Sequence, residues 1–344
     1  MIRFNLGQIL VIVGSLACRP AAAADPARHE FERAEMGLPF RLVLYAGSET
    51  VAREAAEAAF GRIHALNGML SDYDEASELS RLSATAGSGN WVPLGADLAR
   101  VLRAADRAAV ESEGAFDVTV GPLVQLWKRA RRQRELPADA ALARAREATG
   151  WRHLRLRRSA GRWEARLNRP GMRLDLGGIA KGYALDEAAR VLKDRGVRRF
   201  LISGGGDMVA GDPPPGTVGW RIEVGVYDTA AAPPPMFVCL RNRALATSGD
   251  VFQRAEIGGR RYSHIVDPST GIGLTDHSLV TVIAPTGMQA DVLSTQLSVL
   301  GPSRGAALAR TAGADFLLYR MSDETLERWR SRGFDRWLWP GLER

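Results

Sequence analysis

A mixed fold of helices and strands, built as one large domain or two lobes, is what this sequence predicts, and three observations carry the prediction. From Met172 to Asp207, Met172, Leu174 and Leu176 alternate with Arg173 and Asp175 at the period of a half-buried strand. Gly177-Gly178 break it, and a helix and a second strand follow. Apolar residues at helical spacing recur between short apolar runs along the rest of the chain, with no internal repeat. Of 344 residues, about 320 remain once a 24-residue leader is set aside, and the 46% apolar composition is enough for a sizeable core.

Residues 1–24 read as an export signal. Arg3 is the only charge before the apolar run Ile9 to Leu16, which is too short to span a bilayer, and Ala21 to Ala24 supply small residues before Asp25. Ser15-Leu16-Ala17-Cys18 is an imperfect lipobox, so a lipid on Cys18 is the lesser expectation. The expected location is the periplasm, with the inner membrane as anchor if Cys18 is lipidated. Residues 25–344 then form the functional domain. Cys239 is the only other cysteine, so no intramolecular disulfide is expected and stability rests on the core. The net charge of +7 comes from scattered arginine, densest in Lys128 to Arg134 and Arg152 to Arg158. Without aromatic interleaving or a nucleic-acid motif it reads mainly as a solvated surface, with some attraction to anionic membranes and no nucleic-acid partner.

Taken in order, Arg41 to Tyr45 is an apolar strand, and Thr50 to Leu70 a helix carrying Val51, Ala55, Ala58, Ala59, Ile63, Leu66 and Leu70. Ser77 is placed to cap a helix after a polar turn, in which Tyr73 suits either a buried hydroxyl or a stacking partner. A helix from Gly95 to Ser112 closes at Gly114. Gly114 to Leu123 reads as a shaped loop and strand offering the carboxylate of Asp117, and Lys128 to Arg146 as an exposed helical excursion. Leu154/Leu156 and Trp163/Ala165/Leu167 alternate around Ser159-Ala160-Gly161 as a hairpin. Beyond Asp207 come strands at Val218 to Val226 and Met236 to Leu240, with Pro233 to Pro235 between them, and a hairpin turn at Gly258-Gly259. The strand Leu279 to Ala284, a helix Met288 to Leu300 ended by Gly301, a further helix and a strand at Phe316 to Tyr319 complete the chain.

In the central stretch, a glycine pair between a strand and a helix offers unpaired N–H groups and the positive end of the helix dipole to an anion. Lys181 adds a full charge, and Asp175 at the same turn suits a ribose or ring N–H, or a metal. Further on, Asp291 and Thr295 lie four residues apart on one helix face, where a carboxylate and a hydroxyl can meet one hard cation, with Ser294 beside them.

Together these segments resemble the ApbE family of flavin transferases. The resemblance runs through eight motifs in order: M-G-L-P-F at Met36, Y-D-E-A-S-E-L-S-R-L at Tyr73, G-A-F-D-V-T-V-G-P-L at Gly114, L-D-L-G-G-I-A-K-G-Y-A-L-D at Leu174, G-G-G-D at Gly204, A-T-S-G-D at Ala246, R-Y-S-H-I-V-D-P-S-T-G at Arg261, and A-D-V-L-S-T at Ala290. What the resemblance implies is an α+β fold with a T-fold-like β core and flanking helices, holding FAD between lobes. It also implies a magnesium-dependent enzyme that moves FMN from FAD onto a threonine or serine of an exported redox protein carrying a threonine-containing motif, and releases AMP.

Carried over by position, the resemblance makes Gly178, Asp291, Ser294 and Thr295 the Mg²⁺ site. Met36, Tyr73, Ala115, Phe116, Asp117, Asp175, Lys181, His264 and Ile265 become contacts to FAD. His264, Lys181 and Asp291 take the catalytic roles, with His264 accepting the proton of the incoming hydroxyl. Gln289 replaces the family's more usual glutamate and Ser294 its more usual alanine. Two other readings share most of these residues: a magnesium-dependent FAD pyrophosphatase giving free FMN and AMP, and a periplasmic FAD-binding or delivery protein without chemistry.

Overall fold

Eight strands join in a single antiparallel sheet, and the long helices lie against one of its faces in the computed structural model. The structure describes residues 26–225, 236–249, 254–322 and 325–340, so the leader with Cys18, the proline-rich loop and Asp250 lie outside the described residues. The first half of the chain runs β1 (Ala27–Glu35), β2 (Leu38–Ala46), α1 (Glu49–Leu70), α2 (Glu78–Ala84), β3 (Val92–Pro93), α3 (Ala96–Glu111), α4 (Gly121–Gln133), α5 (Asp139–Glu147), β4 (Leu154–Ser159) and β5 (Arg162–Leu167). Next come α6 (Ala180–Asp194), β6 (Phe200–Gly204), β7 (Asp207–Ala210), β8 (Trp220–Val224), β9 (Met236–Leu240), β10 (Arg243–Gly249), β11 (Arg254–Ile257) and β12 (Arg260–Ser263). The last elements are β13 (Val266–Asp267), β14 (Ile272–Gly273), β15 (His277–Ala284), α7 (Gly287–Thr311), β16 (Asp315–Ser322) and β17 (Thr325–Arg330).

The large sheet has the order β1-β2-β6-β7-β10-β15-β16-β17, and every neighbouring pair is antiparallel. Both faces are covered, which is why β15 is apolar at successive positions, Leu279-Val280 and Val282-Ile283-Ala284, on either side of Thr281. Val280 and Val282 enter the core shared with α1, α6 and α7. Leu279 and Ile283, one residue out of phase, pack with β8, β9 and Phe334 on the other side. A smaller sheet, β3-β5-β4, and the helices α2 to α5 extend beyond the helical layer. Among the described residues no helix is long and apolar enough to cross a membrane.

The helix ends follow their sequence signals. Ser77 accepts the Ser80 N–H to start α2, and Gly196, with φ at +78°, follows the Arg195 cap of α6. The helical run after Met288 breaks at Gly301 (φ 72°, ψ 178°), beside Pro302.

Several segments differ from the sequence reading, among them β17, a strand beyond the last one expected. The alternation at Met172 to Leu176 buries the three apolar residues, yet forms no strand. Its backbone bonds go to a loop and a helix, with the Asp175 N–H donating to Val118 O at 2.8 Å and the Leu174 N–H to Ser83 Oγ of α2 at 3.1 Å, and one bridge at Arg173 pairs with Val120. The strand expected near Leu123 reduces to that bridge, because Gly121-Pro122 open α4 with proline in its first turn. β1, with Phe31 the one large apolar residue in a charged stretch, has no strand pattern in the sequence; it is one of the sheet's two edge strands, with β17 at the other, where charge is tolerated.

Candidate functional site

The site forms where α6 and α7 cross backbone to backbone. A Cβ on Gly182 would sit 2.2 Å from Gly287 O, and one on Gly287 would sit 2.5 Å from Gly182 O, so any side chain at either glycine would force the helices apart. The helices also cap one another. The Gly182 N–H in the first turn of α6 donates to Asp291 Oδ2 of α7 at 3.1 Å. The first N–H groups of α7, Gly287 and Met288, donate to Asp186 of α6 at 2.7 and 2.9 Å. Burial pushes the Asp186 carboxyl up to about 6, against the pull of those two donors.

At this crossing Lys181 Nζ lies 2.8 Å from Asp207 Oδ2 and 3.1 Å from Asp291 Oδ1. The two carboxylates are buried, and against the cost of burial they hold the ammonium firmly protonated. Burial, with Asp291 adding to it and Lys181 opposing, raises the Asp207 carboxyl. Next to this triad, Ser294 Oγ donates to Asp291 O at 2.8 Å and lies 2.7 Å from Ser248 Oγ of β10. A Cβ on Gly178 would meet Thr295 Oγ1 at 3.0 Å and the Phe116 ring at 3.2 Å, so glycine is what lets the turn before α6 close on α7. Gly178, Lys181, Asp291, Ser294, Thr295 and Phe116 are thus brought together. Among the described residues no group of three or more His, Cys, Asp or Glu is set to hold a metal. One carboxylate, two hydroxyls and a glycine backbone form an all-oxygen set, the chemistry of a hard cation.

A second cluster gathers Tyr73 and Asp175. Lys128 of α4 lies 3.2 Å from Asp72 Oδ2, 3.8 Å from Asp175 Oδ2 and 4.3 Å from the centre of the exposed Tyr73 ring. Burial, then the neighbouring Asp72, raises the Asp175 carboxyl, with Lys128 pulling the other way. Tyr73 therefore presents a ring face, not a buried hydroxyl.

Ala115 and Asp117 line a cleft of about 290 Å³ with Gly114, Trp151, Asp267 and Ser269. Asp117 braces its wall: Oδ1 accepts the Thr119 N–H and hydroxyl, each at 2.7 Å, and Oδ2 accepts the Trp151 N–H at 2.8 Å. His264 is exposed on the bend between β12 and β13, and Ile265, half-buried, accepts the Leu274 N–H at 2.8 Å. Met36 takes φ at +51° in the β1–β2 turn, and Leu38 just after it faces Gly205 beside Lys181.

The ApbE family model matches residues 36–318. The chain belongs to the ApbE family. It is 30% identical to the FAD:protein FMN transferase of Klebsiella pneumoniae and 29% identical to that of Salmonella typhimurium, in both cases over 97% of this chain and 96% of the relative. Two solved structures are similar throughout. The apo flavinyl transferase ApbE of Pseudomonas stutzeri has a TM-score of 0.80 at 28% identity, covering 92% of this chain and 98% of that one. The flavin transferase ApbE of Vibrio cholerae has a TM-score of 0.79 at 29% identity, covering 91% and 100%.

In this ApbE protein several site residues had a sequence signal but no assigned role. Asp207 ends the G-G-G-D motif and Ser248 lies in A-T-S-G-D, and each makes a direct bond to a named site residue. Asp186 likewise ends the L-D-L-G-G-I-A-K-G-Y-A-L-D motif, whereas Lys128 stands in no motif, because its place depends on how α4 docks. Gln289 is exposed at the start of α7, with its N–H donating to the N-cap Thr286 Oγ1 at 3.2 Å and its Oε1 accepting the Thr286 hydroxyl at 3.3 Å.

Proposed function

We propose that this protein transfers FMN from FAD to an acceptor protein, as its relatives' names describe, and that the accepting group is a threonine or serine hydroxyl. The acceptor oxygen bonds to the FMN-side phosphorus, the pyrophosphate P–O bond to AMP breaks, AMP departs with that oxygen, and the hydroxyl proton passes to the imidazole of His264. The observation that carries this reading is the α6–α7 crossing, where Lys181 and the first turn of α6 meet the buried Asp291 within an all-oxygen set. Gly178, Asp291, Ser294 and Thr295 fit Mg²⁺, which when bound would neutralise pyrophosphate charge.

The chain's own groups divide the remaining work. Lys181 places a fixed positive charge where phosphoryl oxygens gain charge, and Asp207 keeps it aimed after Asp291 turns to other partners. Tyr73, with Lys128 on its ring, offers a flat face to a planar part of FAD, and Asp175 an acceptor for its polar edge. The exposure of His264 suits a base that must meet a macromolecular substrate.

We read the large sheet with α1, α6 and α7 as the T-fold-like core, and place FAD between it and the lobe of α2 to α5. Residues 1–24 act as an export leader, which puts the enzyme in the periplasm and its acceptor among exported redox proteins; lipidation of Cys18 would add an inner-membrane anchor. Incubation of the mature protein with FAD, Mg²⁺ and an exported redox protein tests the activity. A fluorescent flavin band on the denatured acceptor, with free AMP, is expected. Free FMN and AMP without a band would mean pyrophosphatase action, and bound FAD without AMP would mean binding alone.

A further inference from the structure

The arginine-rich segment Arg152 to Arg158 is not a dispersed solvated surface. One face of the small sheet β3-β5-β4 sends Leu154, Leu156, Ala165 and Leu167 to the core. The other presents Arg155 and Arg157 of β4 with Glu164 and Arg166 of β5, and register sets Arg155 directly opposite Arg166. Trp91, just before β3, lies between two guanidinium groups, Arg157 at 4.1 Å and Arg166 at 4.6 Å from its ring centre. The aromatic interleaving missing along the sequence is therefore present in space.

By register this face carries four guanidinium groups, Arg155, Arg157, Arg162 and Arg166, and one carboxylate, Glu164. Arg157 Nε already uses Glu164, at 2.6 Å. Like charges directly opposite on a sheet are destabilising, and among the described residues the buried Nε of Arg166 has no hydrogen-bond acceptor, a further cost. The positive field is felt nearby: burial, then Arg169 and Arg155, hold the His153 imidazole below its usual range. Carboxylates are the complement that such forked donors take bidentately.

We propose that the outer face of β3-β5-β4 is the docking surface for an acidic face of the protein that accepts the flavin. The proposal rests on the transferase reading, since only that activity requires a protein partner. Two observations favour a protein over a lipid surface. None of the exposed large apolar side chains (Val51, Tyr73, Val110, Leu136, Val218 and Ile272) lies on this sheet, and the aromatic ring on its outer face, Trp91, is held between Arg157 and Arg166. Arginine and tryptophan are also the residues that dominate protein–protein contacts. The sheet also lies close in the chain to the cleft, because β4 begins just after Trp151, which lines it with Ala115 and Asp267.

The test is direct binding of poly-L-glutamate to the mature protein at low salt, which reads the surface without any turnover. A triple variant, Arg155→Gln with Arg157→Gln and Arg166→Gln, should bind about tenfold more weakly or worse. A control of equal charge change, Arg195→Gln with Arg198→Gln and Arg199→Gln, should bind as wild type does. The single variant Arg155→Glu, which places an acid opposite Arg166 on an exposed position, guards against misfolding and should also lose affinity. Equal losses in both triple variants, or no loss in the first, would overturn the proposal. So would a wild type that prefers phosphatidylglycerol vesicles to poly-L-glutamate and loses the vesicles on mutation of the sheet.

Discussion

Helix α6 carries a charged cluster on each of two sides, and the two behave in opposite ways. Towards α1 and α3, Arg62 bonds Asp97 through two nitrogens at 3.0 and 2.5 Å and Glu187 at 2.6 Å, while the Tyr183 hydroxyl donates to Asp97 at 2.5 Å. Burial pushes both carboxyls up, but Arg62 and Tyr183 on Asp97, and Arg190 and Arg62 on Glu187, bring them below their usual range. Towards α7, Lys181 serves two buried carboxylates with a single ammonium, and Asp207 is raised. One network is saturated with donors and ties helices together. The other has more acid than its cation can satisfy, which is the condition of a site built to receive a positive ion or to stabilise added charge.

The comparison is broken most severely at Asp291. Asp291→Ala should abolish magnesium-dependent transfer while leaving a folded protein, because Lys181 and Asp207 remain as a one-to-one pair. Near-wild-type transfer, with the metal controlled, would remove Asp291 from the site. His264→Ala should bind FAD normally and lose about 10²- to 10⁴-fold in transfer rate, the range for a positioned base; a smaller loss at saturating FAD and acceptor would exclude that role. On the saturated side, Arg62→Ala should cost about 2–4 kcal/mol by leaving Asp97 without its paired guanidinium and Glu187 with Arg190 and Arg100 alone. Transfer per folded molecule should stay unchanged, and denaturant unfolding beside activity measurements separates the two. Lys181→Ala should weaken FAD binding by about 1–3 kcal/mol, and unchanged affinity in a titration would return Lys181 to a packing role.

Asp186 gives the smallest effect and one with a definite sign. Its folded value of about 6 lies above that of an unfolded aspartate, about 4. The folded chain therefore holds the proton more tightly. The stability this group contributes is complete below the unfolded value and is lost as pH rises through about 6, by about 1–3 kcal/mol. Unfolding free energies across that interval should show this fall in wild type and not in Asp186→Asn. Identical pH profiles would mean that the carboxyl is not buried against α7.

The contrast also explains what was legible in the sequence. Strands packed on both faces, such as Leu279 to Ala284, and helices with glycine or serine at their ends announce themselves through local pattern. β1 does not, because an edge strand needs no apolar face. Met172 to Leu176 mimics a strand because alternate burial only requires an extended chain. Asp175, Lys181 and Asp291 stood in recognisable motifs, but the sequence held nothing that set Lys128 against Asp175, or Asp186 under the first turn of α7. Those placements come from helix docking, which the glycine pair Gly182 and Gly287 permits and no local pattern records.

The most direct measurement is the product balance of wild type and Asp291→Asn with FAD, Mg²⁺ and an exported acceptor. Wild type should yield one acceptor-bound flavin for each AMP released, and Asp291→Asn neither product despite an unchanged melting curve. AMP released with free FMN, or equal transfer by both proteins, would contradict these assignments.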